Sequence, residues 1–368
     1  MKYYLIAGEA SGDLHGSNLI REIRKLDAHA NIRCWGGDLM QQAGGELVSH
    51  YKERAFMGFL EVFMNLRKVM GFIKLCKKDL LEFNPDVVVF IDYPGFNIPI
   101  AEFAKKHGYK TVFYISPQVW AWKEGRVKTL RRVIDKMLVI LPFEKEFYAK
   151  WDYEVEYVGH PLVQVIDEFR RDNPHLQPPA QTSIALLPGS RMQEIRKKLP
   201  IMLEATKNFP NCRFRIAQAP SLERSFYETM TSQYSNVELV QGKTYELLMQ
   251  SHAALVTSGT ATLETALFGV PEVVCYKGST VSYEIAKRLI KVKYISLVNL
   301  ILDKPAVKEL IQHELTPGNL TIELRKLLED PGYRSGVQKN LTELWNILSP
   351  GGAASAKTAK IIVDMIRS

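Results

Sequence analysis

The chain has 368 residues, 46% of them hydrophobic and 24% charged, a balance that buries a full core and excludes a disordered or fibrous protein. Its length suits two domains. Forty-eight Lys and Arg against 40 Asp and Glu leave a net charge of +8, which favours an anionic partner, and the interleaving of basic with acidic residues argues against nucleic acid. Four cysteines, Cys34, Cys76, Cys212 and Cys275, are widely spaced without a CxxC pair. Neither a disulfide framework nor a zinc site is expected, and a reducing cytosol is the simplest compartment. The apolar start, Met1 to Gly8, is too short for a signal-peptide core, and no run approaches the roughly 18 residues of a membrane span. Membrane contact, if any, is expected to be peripheral.

Short apolar runs recur along the chain, each followed by a stretch with helical spacing: Tyr3 to Ala7, Val87 to Ile91, Thr111 to Ile115, Met137 to Leu141, Ile184 to Leu187, Phe214 to Ala217, Ala253 to Thr257 and Glu272 to Tyr276. Consecutive apolar positions read as strands buried on both faces, and their alternation with helices gives an α/β protein with parallel sheets. Between Asp172 and Gln181 three prolines and no apolar period mark a linker. The expected organisation is an N-terminal domain over 1–171, a linker over 172–181, a C-terminal domain over 182–350 and a last helix over 351–368 that crosses back to the first domain. Each half opens with a strand, a glycine turn and a helix. Two doubly wound domains facing each other across a cleft follow from that pattern.

Ligands of open α/β sheets lie beyond the carboxyl ends of the strands, so the turns after the runs carry the chemistry. The first, Gly8-Glu9-Ala10-Ser11-Gly12-Asp13, lacks the GxGxxG spacing and places two acids where a pyrophosphate would lie, which argues against NAD. It reads either as a turn capped by Ser11 or Asp13, or as a loop whose Ser11 and Gly12 let a sugar approach the backbone. Met57 to Phe83 then shows a wide apolar surface, including Phe63, Met64 and Phe72, accompanied by Arg67, Lys68, Lys74, Lys77 and Lys78. Such a pattern suits a helix lying in an anionic lipid interface; a helix buried on the sheet or in a dimer seam is the alternative. After the second run, Asp92 leaves a buried strand where a carboxylate can serve as general base or merely cap the turn.

In the second half, Pro188-Gly189-Ser190-Arg191 follows a strand and precedes a helix, so exposed N–H groups, the helix dipole and the Arg191 fork favour a phosphate. Ser258-Gly259-Thr260-Ala261 opens another helix, and Glu264 one turn later can accept two hydrogen bonds from a ribose diol. The competing reading, a capping box for Glu264, lacks a hydroxyl at Ala261. The two turns together describe a nucleotide-diphosphate pocket.

Several of these segments, with Ile91-Asp92-x-Pro up to Asn97, Ser116-Pro117-Gln118-Val119-Trp120-Ala121-Trp122, Leu141-Pro142-Phe143-Glu144, Val158-Gly159-His160-Pro161 and Tyr294 to Leu300, resemble the lipid-A-disaccharide synthase family in order over nearly the whole chain. Val298 departs from it, standing where many relatives carry proline. The resemblance implies a GT-B fold, two Rossmann-like domains, and an inverting transferase that joins UDP-2,3-diacylglucosamine to 2,3-diacylglucosamine 1-phosphate through a β(1→6) bond. It makes Asp92 the base and Arg191 the group that stabilises departing UDP, without metal or other cofactor. Ser11, Gly12, His160, Gly189, Ser190, Ser258, Gly259, Thr260, Ala261, Glu264 and Asn299 become substrate- or UDP-binding residues, with a structural histidine before Pro161 the alternative at His160. Trp120, Trp122, Lys123 and Arg126 become contacts of the lipid phosphate acceptor, although a solvated helix face also explains that charge run. The implied place is the cytoplasmic face of the inner membrane, on anionic lipid, with a homodimer among the partners and no nucleic acid. Another GT-B enzyme using UDP-N-acetylglucosamine, a transferase or an epimerase, would share the nucleotide pocket but not the Trp-Ala-Trp segment.

Overall fold

The computed structural model describes residues 1–54, 66–279, 283–284 and 292–367. It divides into two compact units, one comprising Met1–Pro161 with Ser349–Ser368 and the other Leu162–Leu348. In the first, β1 (Lys2–Ala7), β2 (Asn31–Gly36), β3 (Glu46–His50), β4 (Val87–Ile91), β5 (Lys110–Tyr114), β6 (Lys136–Val139) and β7 (Glu156–Tyr157) form one parallel sheet in the order β3-β2-β1-β4-β5-β6-β7. Strand side chains alternate between two cores. Tyr4, Ile6, Val88, Phe90, Phe113, Met137 and Val139 face one, whereas Tyr3, Leu5, Ala7, Val87, Val89, Ile91, Val112 and Leu138 face the other. Runs apolar at every position are what a sheet covered on both sides requires, each buried aliphatic contributing about 1.5–3 kcal/mol.

Helices Leu66–Phe83, Pro94–Lys106 and Arg126–Val133 supply residues to the first core, among them Ile73, Cys76, Leu80, Ile100 and Leu130. Helices Ala10–Leu26 and Ala354–Arg367 supply the second through Leu19, Ile20, Ile23, Ala359, Ile362 and Val363. The last helix is therefore part of the first unit, although 187 residues of the other unit separate it in sequence.

In the second unit, β8 (Ser183–Leu187), β9 (Arg213–Gln218), β10 (Val237–Gln241), β11 (Ala253–Thr257), β12 (Glu272–Tyr276) and β13 (Lys308–Ile311) form a parallel sheet in the order β10-β9-β8-β11-β12-β13. The units meet in sequence between Pro161 and Leu162, after the first residue of the helix Pro161–Asp172, which a first domain over 1–171 would contain. Leu162, Val163 and Ile166 of that helix are buried in the second core, and this packing carries the proline-rich stretch into the second unit with it. Both sheets reverse strand order once, at β1/β4 and at β8/β11. These switch points open crevices at the carboxyl ends of the strands.

Candidate functional site

At the first switch point, the turn after β1 lies beside the turn after β4. Glu9 is the N-cap of helix Ala10–Leu26, and Ser11 is exposed on its first turn while Gly12 packs under it, with a Cβ there only 3.1 Å from that of Ala7. Asp13 does not cap its own helix. It is buried and accepts from the N–H groups of Gly37 (2.8 Å), Met40 (3.0 Å) and Leu39 (3.1 Å), so it caps the neighbouring helix Asp38–Gln42.

Asp92 leaves β4 with a left-handed backbone, φ 46°, and reaches solvent. Its carboxyl is pushed up to about 6, first by the dense protein around it and then by the charge of Glu9. A carboxylate of that strength is ionised at neutral pH and more basic than an ordinary aspartate. Gly8 gives room for the next side chain, since a Cβ there would stand 2.1 Å from the Tyr93 ring.

Further along the same sheet edge, the Trp-Ala-Trp segment divides its roles. Trp120 is 8% exposed, packs edge-on to Phe143 and donates Nε1–H to Glu144 Oε1 at 3.2 Å. Trp122 is 44% exposed with the Lys123 ammonium 4.0 Å from its ring centre. Arg126 is half-buried beside them, whereas Arg131 and Arg132 are engaged by the Trp151 carbonyl and Glu102. Trp122, Lys123 and Arg126 therefore stand together on the surface, and Trp120 belongs to the core beneath.

Glu144 closes the Leu141-Pro142-Phe143-Glu144 segment, to which the sequence assigned no role. It is fully buried and accepts from the N–H groups of Leu141 (2.9 Å) and Ile140 (3.3 Å) as well as from Trp120. Burial outweighs these bonds and the Ser116 hydroxyl and pushes its carboxyl up to about 7. His160 is buried in the first unit, and burial together with neighbouring His15 lowers its imidazole to about 3, so it stays neutral.

At the second switch point, Gly189 takes φ 124°, and a Cβ on it would meet Glu194 Oε2 at 2.7 Å. Only glycine fits that turn. Ser190 and Arg191 are exposed at the start of helix Met192–Thr206, with Arg191 Nη1 3.4 Å from Glu194 Oε1. The adjacent turn after β11 holds Ser258, Gly259 with φ 131°, and Thr260 at the start of helix Thr260–Leu267. Glu264 is not a capping residue: its Oε1 accepts the Tyr245 hydroxyl at 2.9 Å, and burial raises its carboxyl.

Lys198, also unflagged by the sequence, is 3% exposed and donates to the Thr257 hydroxyl at the foot of the second turn, 3.9 Å from Glu194. Burial lowers its ammonium. Its place on the Ile195, Leu199, Met202 stripe was the available signal, since a helical period puts it among buried residues. Asn299 stands apart from these turns in its bonding. Its amide donates to Val307 O and Glu309 Oε1 and accepts from Val307 N, each at 2.9 Å, a complete set of local partners that holds the β13 approach.

Phe63 and Met64 lie outside the described residues. Phe72 is half-buried against the first core. The exposed side of helix Leu66–Phe83 has Arg67, Lys74 and Lys78 along its middle, bordered by Met70 (50% exposed) and Leu81 (46%) on one flank and Leu75 (47%) on the other. Apolar residues thus edge a basic stripe, the reverse of the expected apolar surface with a basic rim. Among the described residues no helix is long and apolar enough to cross a membrane.

Residues 3–351 match the family profile described as lipid-A-disaccharide synthetase. A lipid-A-disaccharide synthase of Syntrophus aciditrophicus is 39% identical over 99% of this chain and 97% of its own length. Among solved structures, the glycotransferase of kitacinnamycin superposes with a TM-score of 0.69 at 15% identity, covering 99% of both chains. The UDP-GlcNAc 2-epimerase of Neisseria meningitidis, solved with UDP-GlcNAc, gives 0.63 at 16% identity over 100% of both. These likenesses establish a GT-B fold.

Proposed function

Because the chain belongs to the lipid-A-disaccharide synthase family and is a glycosyltransferase of GT-B fold, we propose that it transfers a diacylglucosamine from UDP to the 6-hydroxyl of 2,3-diacylglucosamine 1-phosphate with inversion. Asp92 takes the hydroxyl proton as the oxygen attacks C1 of the donor. The C1–O bond to UDP breaks on the opposite face, and its electron pair passes to the β-phosphate. Arg191 and the N–H groups of the Gly189 and Gly259 turns, at the starts of helices Met192–Thr206 and Thr260–Leu267, stabilise that charge, and the Glu264 carboxylate receives the ribose hydroxyls. Trp122, Lys123 and Arg126 receive the acceptor phosphate. The basic stripe of helix Leu66–Phe83, with Met70, Leu75 and Leu81 at its borders, rests on anionic lipid at the inner face of the cytoplasmic membrane, where an acceptor with two acyl chains resides.

The observation that carries the reading is Asp92, a solvent-reaching carboxylate at a switch point with its pKa pushed up to about 6. The test supplies UDP-2,3-diacylglucosamine and the lipid phosphate and follows the disaccharide phosphate and UDP. Asp92→Asn keeps the shape and removes the base, so turnover should fall at least ~100-fold with UDP affinity retained. In the parent, turnover should decline as pH drops below about 6, where Asp92 takes up its proton. Near-normal turnover of the variant would falsify the base assignment, and release of a free epimerised sugar in place of disaccharide would overturn the transferase reading.

A further inference from the structure

The turn that carries Asp92 is bent against the preference of its own residues. Asp92 and Tyr93 are both left-handed, with φ 46° and 51°, a conformation in which a side chain crowds the backbone. Aspartate tolerates it; a tyrosine rarely adopts it. The next strand ends in the same way, with the β-branched Ile115 at φ 65°. A bend of this kind persists only where its surroundings hold it.

Asn97 holds it. Its residue is fully buried in helix Pro94–Lys106, and its Nδ2 donates to the Asp92 carbonyl at 2.6 Å, with the Ile91 carbonyl at 3.4 Å and the Ile6 carbonyl at 3.5 Å. Three carbonyls on one side fix which end of the amide faces them, because an oxygen there would meet only acceptors. The cost is visible on the other side, where Asn97 Oδ1 is buried with no hydrogen-bond partner among the described residues. On the other side of the residue, the Asp92 N–H donates to Tyr114 O at 3.2 Å. The backbone of Asp92 is thus gripped at both its N–H and its carbonyl, and the direction of its Cα–Cβ bond follows from that grip. An apolar side chain at position 97 would remove the orphaned Oδ1 but take the 2.6 Å donor from the Asp92 carbonyl, so what asparagine adds over an apolar residue is its hold on that carbonyl.

We propose that Asn97 is a positioning residue: its amide holds the left-handed bend that aims the Asp92 carboxylate at the acceptor hydroxyl. This rests on the reading of Asp92 as the base. A base misplaced by a fraction of an ångström slows proton transfer without changing how either substrate binds.

Asn97→Leu keeps the branched outline without the amide and Asn97→Ala removes the side chain beyond Cβ; each is compared with Asp92→Asn and with the pair Asp92→Asn plus Asn97→Leu. Both Asn97 variants should lower kcat by roughly 10- to 100-fold while KM for each substrate and Kd for UDP stay within about 3-fold. Once the base is gone its holder has nothing to aim, so the pair should fall within about 3-fold of Asp92→Asn alone. Parent-like kcat in a folded Asn97→Leu, or losses that multiply in the pair, overturns the positioning role and leaves the base assignment standing. Full turnover in Asp92→Asn overturns the base assignment and the inference with it. Failure of both Asn97 variants to fold, while Asp92→Asn folds, assigns Asn97 to the scaffold alone and also overturns the inference.

Discussion

Replacing Glu144 by glutamine isolates a pH-dependent contribution to stability that can be sized from its surroundings. The carboxyl titrates near its ordinary 4.5 in the unfolded chain and at about 7 in the fold, where burial outweighs its bonds to Leu141, Ser116, Trp120 and Ile140. A carboxyl with a raised folded pKa stabilises the fold fully below about pH 4.5, and that contribution is lost as pH climbs through about 7. Between about pH 5 and 8 the loss amounts to about 2 to 3 kcal/mol. Glu144→Gln cannot lose a proton and has no such slope. The variant sacrifices one acceptor for Trp120 or Leu141, but that offset is the same at every pH and cancels from the comparison. Urea unfolding of both proteins at the two pH values, followed through tryptophan fluorescence, measures it. Trp120 is bonded to the mutated group, and four of the five tryptophans, Trp35, Trp120, Trp122 and Trp151, lie in the first unit. The stability difference between variant and parent should shift in favour of the variant by about 2 to 3 kcal/mol on going to the higher pH. A difference that stays constant with pH refutes the raised pKa and the burial argument behind it.

Two further outcomes are expected. In the donor unit, Arg191→Ala should weaken UDP binding by roughly 2 kcal/mol through loss of a charge-assisted fork, and Glu264→Gln should weaken UDP far more than a diphosphate lacking ribose; calorimetric parity of both variants with the parent moves the pocket elsewhere. On the lipid side, changing Met70, Leu75 and Leu81 together to Ser should reduce sedimentation with phosphatidylglycerol vesicles about 10-fold and raise the acceptor KM, with Tm unchanged because all three side chains are already exposed. Parent-like sedimentation would assign lipid contact to another surface.

The central strands were legible in sequence because they are buried on both faces. β1, β4, β5, β6, β8, β9, β11 and β12 each read as an apolar run. β2, β3, β10 and β13 did not: β3, β10 and β13 are edge strands, and β2 sets Asn31 and Arg33 among its apolar residues. Their polar positions, as in Glu46, Glu238, Lys308 and Glu309, face a surface that needs no continuous apolar cover, so the run that identifies a central strand is diluted. The division of the chain was misplaced for a related reason. Prolines between 172 and 181 mark a place where helix stops, not where contacts stop, and Leu162, Val163 and Ile166 commit the preceding helix to the second core.

At the sites the turns were legible and the groups beneath them were not. Gly189 and Gly259 announce themselves because only glycine suits their φ values of 124° and 131°, and Asp92 is marked by following a run with no polar residue. Lys198 is hidden in a row of basic residues, Arg196-Lys197-Lys198, of which only the third turns inward. Glu144 is hidden because a glutamate at the start of a helix is ordinary, and nothing local tells that Trp120 covers it. Backbone strain was the least legible, since no propensity places Tyr93 and Ile115 in left-handed conformations. Those two and Asp92 sit at the carboxyl ends of neighbouring strands β4 and β5, and Gln312 at that of β13, whereas Asn84, Asp152 and Asp303, left-handed elsewhere, are residue types that accept it readily. Strain borne by residues that resist it, gathered where a doubly wound sheet binds its ligands, is placed by the surroundings and not by local preference. The buried amide of Asn97, satisfied on one end and orphaned on the other, is the contact through which those surroundings act on Asp92.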